Sequence, residues 1–425
     1  MSGWMFLLEG CLVSGLILSG LITVYLAILS IAAVVNPARR AIRGLFRGPR
    51  EASTRFIVLI PAHNEALVIG EILRRVRDQT YPASHYEVVV IADNCTDTTA
   101  IIAAGHGVQV LARTDTAHRG KGQALNWAMR ERLAQWPRPY DAVIVMDADS
   151  VMNPDFLWFM DAECRAGHEL LQAYYGVLNP LDNWRTSLAT AAFAAFHFLR
   201  PLGRMRLGLS CGLKGNGMLF SRRLVETYGY PAFSIVEDVE LAMTYLDQGL
   251  SVRFVPGAHM LGQMATSARD AGTQRARWEG GRLTLARTWV PRFLRRAITE
   301  RSATLLDGAL ELLVPPLASL VLVTGAGLAL SLTVWFTAKG AFAGGVAVGW
   351  GIVALAQAAY VWTGLILARV PWRVYVRLLG APLFLAWKLA TYATVFGRRQ
   401  RGGGAEWIRT GRQRLENPVE EPHES

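Results

Sequence analysis

The stretch Ala142-Val143-Ile144-Val145-Met146-Asp147-Ala148-Asp149 decides the fold. An unbroken apolar run, rich in β-branched residues and closed by Asp-x-Asp, reads as a buried strand that ends at a loop. Working outward, Phe56-Ile57-Val58-Leu59-Ile60 is a similar run closed by Pro61. Glu87-Val88-Val89-Val90-Ile91 ends at Ala92-Asp93, and Val108 to Ala112 is a further strand. Between them, Ala66 to Gln79 places Leu67, Ile69, Ile72, Leu73 and Val76 close to helical spacing, and Thr96 to Ala104 and Gln123 to Leu133 read as helices. Strands alternating with helices require right-handed crossovers and predict an α/β, Rossmann-like, doubly wound parallel sheet. Such sheets bind ligands at the carboxyl ends of their strands, where His63-Asn64-Glu65, Asp93 and Asp147-Ala148-Asp149 all fall.

The chain has 425 residues, of which 18% are charged, and a formal net charge of +11. So low a charged fraction has a local cause. Uncharged runs at Cys11 to Val35, Leu312 to Ala338 and Ala341 to Ala368 each exceed the roughly 20 apolar residues that a membrane-spanning helix needs. No Lys or Arg precedes the first run, which argues against a cleaved leader. Arg39, Arg40, Arg43, Arg47 and Arg50 follow it, and Arg369, Arg373 and Arg377 follow the third, so both flanks belong in the cytoplasm. A later apolar stretch, Leu378 to Phe396, contains Pro382 and Lys388 and ends at Arg398-Arg399-Gln400-Arg401. It reads as an interfacial helix, with a fourth span as the alternative. The expected organisation is an N-terminal anchor and basic linker (1–54), an α/β domain (55–301), a transmembrane hairpin (302–369), and an interfacial helix with a cytosolic tail (370–425). The expectation is a multi-pass protein of the plasma or inner membrane with its α/β domain in the cytoplasm. Leu188 to Leu209, rich in Ala, Phe and Leu and ending in Arg200, Arg204 and Arg206, fits either a core helix or a membrane-facing one. The positive charge is laid beside apolar segments, which matches membrane lipid headgroups and not nucleic acid. Cys11, Cys95, Cys164 and Cys211 form no paired spacing, so neither disulfides nor structural zinc are expected.

The chemistry concentrates in acidic motifs. Asp147 and Asp149, one residue apart at a strand end, can hold a divalent ion such as Mg²⁺ whose remaining positions go to a diphosphate and water. Asp93 is placed to accept hydrogen bonds from a base or a ribose hydroxyl. His118-Arg119-Gly120-Lys121-Gly122 lets backbone approach a diphosphate while Lys121 adds charge. Glu237-Asp238 opens a helix, and one of the pair suits removal of an acceptor's hydroxyl proton. Ahead of it, Gly215-Asn216-Gly217 permits close approach of sugar or acceptor. In Gln274-Arg275-Ala276-Arg277-Trp278 an Arg can grip diphosphate oxygens and the indole can stack on a sugar. His63 and His259 have no paired spacing and are not expected to ligate metal.

Taken in order, Pro61-Ala62-His63-Asn64-Glu65, Asp93, Asp147-Ala148-Asp149, Glu237-Asp238 and Gln274-x-x-Arg277-Trp278 resemble the membrane-bound family 2 glycosyltransferases, which include cellulose, hyaluronan and poly-N-acetylglucosamine synthases and ceramide glucosyltransferase. The resemblance covers about Phe56 to Arg282. It implies a GT-A fold and inverting hexosyl transfer from a nucleotide-sugar donor, a UDP-hexose or UDP-N-acetylhexosamine, with Mg²⁺ or Mn²⁺. It further implies that Glu65 and Asp93 lie at the uridine and Asp147 and Asp149 at the diphosphate and metal. Asp238 would be the general base, with Gln274, Arg277 and Trp278 at the diphosphate and the acceptor entrance. Glu406-Trp407-Ile408-Arg409-Thr410-Gly411-Arg412 looks like the cytosolic tail motif of bacterial members. Val236 stands where the synthases commonly have Thr. The acceptor is a glycan or a lipid: polysaccharide synthesis and single transfer to a lipid both fit. A membrane transporter that only senses the nucleotide-sugar would need no base at Asp238.

Overall fold

The computed structural model describes residues 3–35, 51–266 and 268–378. A long helix α1 (Gly3–Val35) leads. The α/β region then runs β1 (Phe56–Ala62), α2 (Ile69–Val76), β2 (Tyr86–Asp93), α3 (Thr99–Gly105), β3 (Gln109–Arg113), α4 (Lys121–Trp127, continued in a wider π turn to Arg132), β4 (Ala142–Val145) and β5 (Ser150–Met152). It goes on through α5 (Phe156–Arg165), β6 (Leu170–Val177), α6 (Trp184–Phe193, continued to Leu199), α7 (Arg200–Arg206), β7 (Met218–Ser221), α8 (Arg222–Tyr228), α9 (Glu237–Asp247) and β8 (Arg253–Gly262). Helices α10 (Ala268–Thr299), α11 (Ala303–Leu313), α12 (Leu317–Ala338), α13 (Ala341–Leu367) and α14 (Trp372–Arg377) follow.

The strands form one 8-stranded sheet in the order β3-β2-β1-β4-β7-β6-β8-β5. The half expected from the sequence, β3-β2-β1-β4, is parallel throughout. Beyond β4 the sheet turns mixed: β7 runs antiparallel to both β4 and β6, and β5 antiparallel to β8. The parallel expectation fails there because Met218-Leu219-Phe220 is buried on both faces, and such a run carries no mark of direction. Strand residues alternate between two cores, as a pleated sheet requires. Ile57, Leu59, Val89, Ile91, Val143 and Val145 pack with α4, α9, α11 and Leu26 of α1. Phe56, Val58, Ile60, Val90 and Ile144 pack with α2 and α5.

Among the described residues, three helices are long and apolar enough to cross a membrane: Leu7–Val35, Leu317–Ala338 and Ala341–Leu367. Gln357 Nε2 joins them inside, donating to Thr23 Oγ1 (3.1 Å) and Thr324 Oγ1 (3.0 Å), a polar tie of the kind that holds apolar helices together. The uncharged run from Leu312 is cut at Val314-Pro315-Pro316, where proline forbids continued helix. Helix α11 is therefore separate, and buries Asp307 and Glu311. The Leu188 to Leu209 segment is core: Arg200 and Arg204 are 2% and 1% exposed. The basic linker at 36–50, the apolar stretch from 379 onward and the tail motif at 406–412 lie outside the described residues.

Candidate active site

The carboxyl ends of the parallel strands bring the early motifs together. After β1, Asn64 takes a left-handed φ of +56°, and its Oδ1 accepts from the Thr96 N–H at 2.7 Å, which fixes the β1 and β2 loops against each other. Glu65 is buried, and its N–H donates to Thr99 Oγ1 at 2.8 Å. Asp93 ends β2 directly beside Arg113, its register partner on β3. Arg113 Nη1 donates to Asp93 Oδ1 at 2.7 Å, and its Nη2 to Asp115 Oδ2 at 2.9 Å. Arg113 was not legible as a site residue, because the pairing rests on strand register.

Asp147 and Asp149 follow β4 as expected. Lys121 Nζ lies 2.5 Å from Asp147 Oδ1 and also donates to the Gly215 carbonyl. Burial works against the Lys121 ammonium, but Asp147 and Glu237 outweigh it and hold its pKa above the usual lysine value. Asn216 is turned inward. Its Oδ1 accepts from the Asp147 N–H (3.1 Å) and its Nδ2 donates to Ser150 Oγ (2.7 Å), so it pins the Asp-x-Asp turn from below. Gly217 adopts φ +68° and a Cβ there would stand 2.9 Å from Ala173 Cβ, so only glycine fits.

Glu237-Asp238 at the start of α9 faces Lys121 from the other side. Lys121 Nζ is 3.9 Å from Glu237 Oε1, and the Cα of Gly215 lies against Asp238, since a Cβ there would be 3.4 Å from Asp238 Oδ2. What brings α9 this close is Gly122: a Cβ would meet the Ala232 carbonyl oxygen at 2.1 Å and Glu237 Cβ at 3.6 Å. Burial raises both carboxyls. Glu237 goes to about 7, with Lys121 opposing and Asp238 adding to the rise. Asp238 is also raised, with the Val239 N–H, Lys121 and Lys214 opposing. Phe233 and Ile235, in the loop just before, are exposed, and the loop is held by Glu240 Oε2, which accepts from the N–H groups of Phe233 (3.0 Å) and Ser234 (2.8 Å). Gln274, Arg277 and Trp278 fall within α10, but their side chains lie outside the described residues. A buried Lys214 next to Gly215 was also missed. A lysine between two apolar segments gives no sequence signal of burial.

The arrangement sets the carboxylates of the β4 turn and of the start of α9 on either side of one lysine, at the strand ends of a mixed α/β sheet. The family model "glycosyltransferase like family 2" matches residues 54–281, just over half of the chain. The chain belongs to this family, and its sheet and flanking helices have the GT-A architecture expected. Curated relatives include a probable glycosyltransferase, YdaM, of Bacillus subtilis, 26% identical over 53% of this chain and 54% of its own length. A beta-monoglucosyldiacylglycerol synthase of Nostoc is 29% identical over 53% of this chain and 48% of its own. The chain thus spans about half the length of the curated relatives it matches. Among solved structures, a mannosyltransferase of Pyrobaculum calidifontis aligns over 83% of this chain and 99% of its own, at 19% identity and a TM-score of 0.44. Glucosyl-3-phosphoglycerate synthase of Mycobacterium tuberculosis aligns over 52% and 75%, at 21% and 0.36.

Proposed function

We propose that the protein is an inverting hexosyltransferase that moves a sugar from a nucleotide-sugar donor to an acceptor hydroxyl at the cytoplasmic face of the membrane. The observation that carries this reading is the pairing across one lysine of Asp147-Ala148-Asp149 with the half-buried acid pair Glu237-Asp238, whose carboxyls are both raised above their ordinary pKa. Asp238 takes the acceptor's proton as that oxygen bonds to the anomeric carbon, and the bond from that carbon to the diphosphate breaks. Lys121 places positive charge where the leaving diphosphate gathers negative charge. Glu65, Asp93 and Arg113 form the floor for the nucleoside, Gly215 and Gly217 the acceptor wall, and Asn216 orients the Asp-x-Asp turn. Gln274, Arg277 and Trp278 on α10 serve the diphosphate and the acceptor entrance.

The donor set also fits a metal. Among the described residues no three His, Cys, Asp or Glu gather to hold an ion. The two hard carboxylates of Asp147 and Asp149 at a strand end suit Mg²⁺ or Mn²⁺, which draw further oxygen ligands from phosphate and water. Asp147 and Asp149 would hold it, and it would neutralise charge on the leaving group.

A lipid acceptor, with a single transfer, is favoured over a growing polymer by the exposed Phe233 and Ile235 beside the acid pair and by relatives named as beta-monoglucosyldiacylglycerol synthases. The candidate spans among the described residues and the arginines that flank them support a plasma- or inner-membrane protein with the α/β region on the cytoplasmic side. The test is to incubate membranes holding the wild type or Asp238→Asn with labelled UDP- and GDP-sugars. The wild type should release nucleoside diphosphate and label a glycolipid, and Asp238→Asn should be slowed by about 10²-fold or more. Unchanged release by Asp238→Asn refutes the base, and a high-molecular-weight ladder refutes single transfer.

A further inference from the structure

The proposed transfer leaves one large feature unused, a buried knot of charge between α7, the 212–217 loop, α10 and α11. Arg204 Nη2 pairs with Glu311 Oε2 at 2.5 Å, and its Nε with Asp307 Oδ2 at 3.0 Å. Arg200 Nη1 stands 3.5 Å from Glu311 Oε2, while Lys214 Nζ and Arg282 Nη2 stand 3.6 and 3.8 Å from Glu311 Oε1. Arg200, Lys214 and Arg282 also face one ring, Phe196, at 4.9, 4.0 and 5.5 Å from its centroid. The knot is tied to two of the membrane-type helices. Tyr25 of α1 donates to Asp307 Oδ1 (2.7 Å), and Arg200 Nε donates to the Tyr360 hydroxyl of α13 (2.8 Å).

Four cations here face two carboxylates. Buried charge without a partner is costly, so the surplus needs a further anion nearby. Chain connectivity indicates which one. Lys214 is followed by Gly215, whose carbonyl holds Lys121 and whose Cα abuts Asp238. Lys214 and Arg282 both act on Asp238 through their charge.

We infer that Lys214, clamped by Glu311 and Phe196, is a positioning residue for sugar transfer: it fixes the 214–217 loop against Asp238 and, with Lys121, supplies the positive charge that faces this carboxylate. The inference rests on Asp238 being the base. The groups facing Asp238 are Lys121 of α4, Glu237 of α9, Lys214, Tyr230 of the preceding loop and Arg282 of α10. Those facing Lys214 are Glu311, Arg204, Arg282, Cys211 and His197.

The experiment compares the full chain with Lys214→Met and Lys214→Arg in detergent, recording kcat and donor KM against pH and UDP binding with Mn²⁺. Lys214→Met should lower kcat by about tenfold and move the acid limb of the kcat profile up by about one pH unit. UDP binding should stay within about twofold, because the nucleoside floor is untouched. Lys214→Arg should return the limb to its wild-type position. Should Lys214→Met fail to fold, Lys214→Gln takes its place with the same expectation. A profile for the neutral variant that superimposes on wild type overturns the inference, as does an Arg variant shifted as far as the neutral one. If Asp238→Asn keeps full transfer, the base assignment itself falls. If Asp238→Asn is dead and the neutral variant's profile is unmoved, only the role of Lys214 falls.

Discussion

Gly122→Ala offers the sharpest test of how the site is assembled. The added methyl would stand 2.1 Å from the Ala232 carbonyl oxygen and 3.6 Å from Glu237 Cβ. Carbon and oxygen settle no closer than roughly 3.2 Å, so α4 and the 230–236 loop must separate by roughly 1 Å. Neither neighbour yields cheaply. The obstacle is backbone, the Tyr230 N–H is fixed by Asn126 Oδ1 at 3.1 Å, and Tyr230 is fully buried. The movement therefore passes to Glu237 and Asp238, which that loop delivers. A displacement of this size costs about 10²-fold in rate when it falls on a reacting group, and overpacking adds about 1–3 kcal/mol of destabilisation. The assay is steady-state transfer in detergent beside a thermal melt and UDP binding. The expected pattern is kcat down by about 10²-fold, a modestly lower melting point and UDP binding retained. A Gly122→Ala enzyme with wild-type kcat would refute the claim that this contact sets the position of the acid pair.

Other expectations follow from the same geometry. Transfer should fall at acid pH sooner than an ordinary aspartate base would require, because burial raises the Asp238 carboxyl and the adjacent Glu237 is lifted to about 7, so Asp238 loses its proton less readily; a rate independent of pH from 5 to 8 speaks against this. Glu311→Gln should cost about 3–5 kcal/mol in unfolding measurements, since it removes the one carboxylate that Arg200, Arg204, Lys214 and Arg282 all face. Burial disfavours the Glu311 carboxylate, but these cations more than compensate and hold its pKa well below 4.5. Its contribution is thus present above the unfolded pKa and is lost as pH falls below about 4.5. Chelation with EDTA should stop transfer, and Asp149→Asn should raise the Mg²⁺ or Mn²⁺ concentration needed for half-maximal rate by about tenfold or more; an unchanged requirement would remove Asp149 from the metal set.

Much of this was legible in the chain because local patterns carry it. Buried parallel strands announce themselves as apolar runs ended by Pro61, Asp93 and Asp147, and long uncharged runs announce candidate spans. The order of the acidic motifs carried the family. The mixed half of the sheet was not legible, because β7 is short and buried on both faces, and strand direction there is set by long-range pairing.

The sequence by itself determined the parallel half-sheet, the apolar helices and the residue types offered at the strand ends, since each follows from periodicity or from adjacency along the chain. Only the tertiary structure decided that Arg113 pairs with Asp93, that Asn216 faces inward, and that Gly122 draws Glu237-Asp238 toward Lys121. It also decided that Lys214 and three arginines converge on Asp307 and Glu311. These contacts join residues from 20 to more than 100 positions apart. Their energies depend on burial and register, which a linear pattern of charge does not encode.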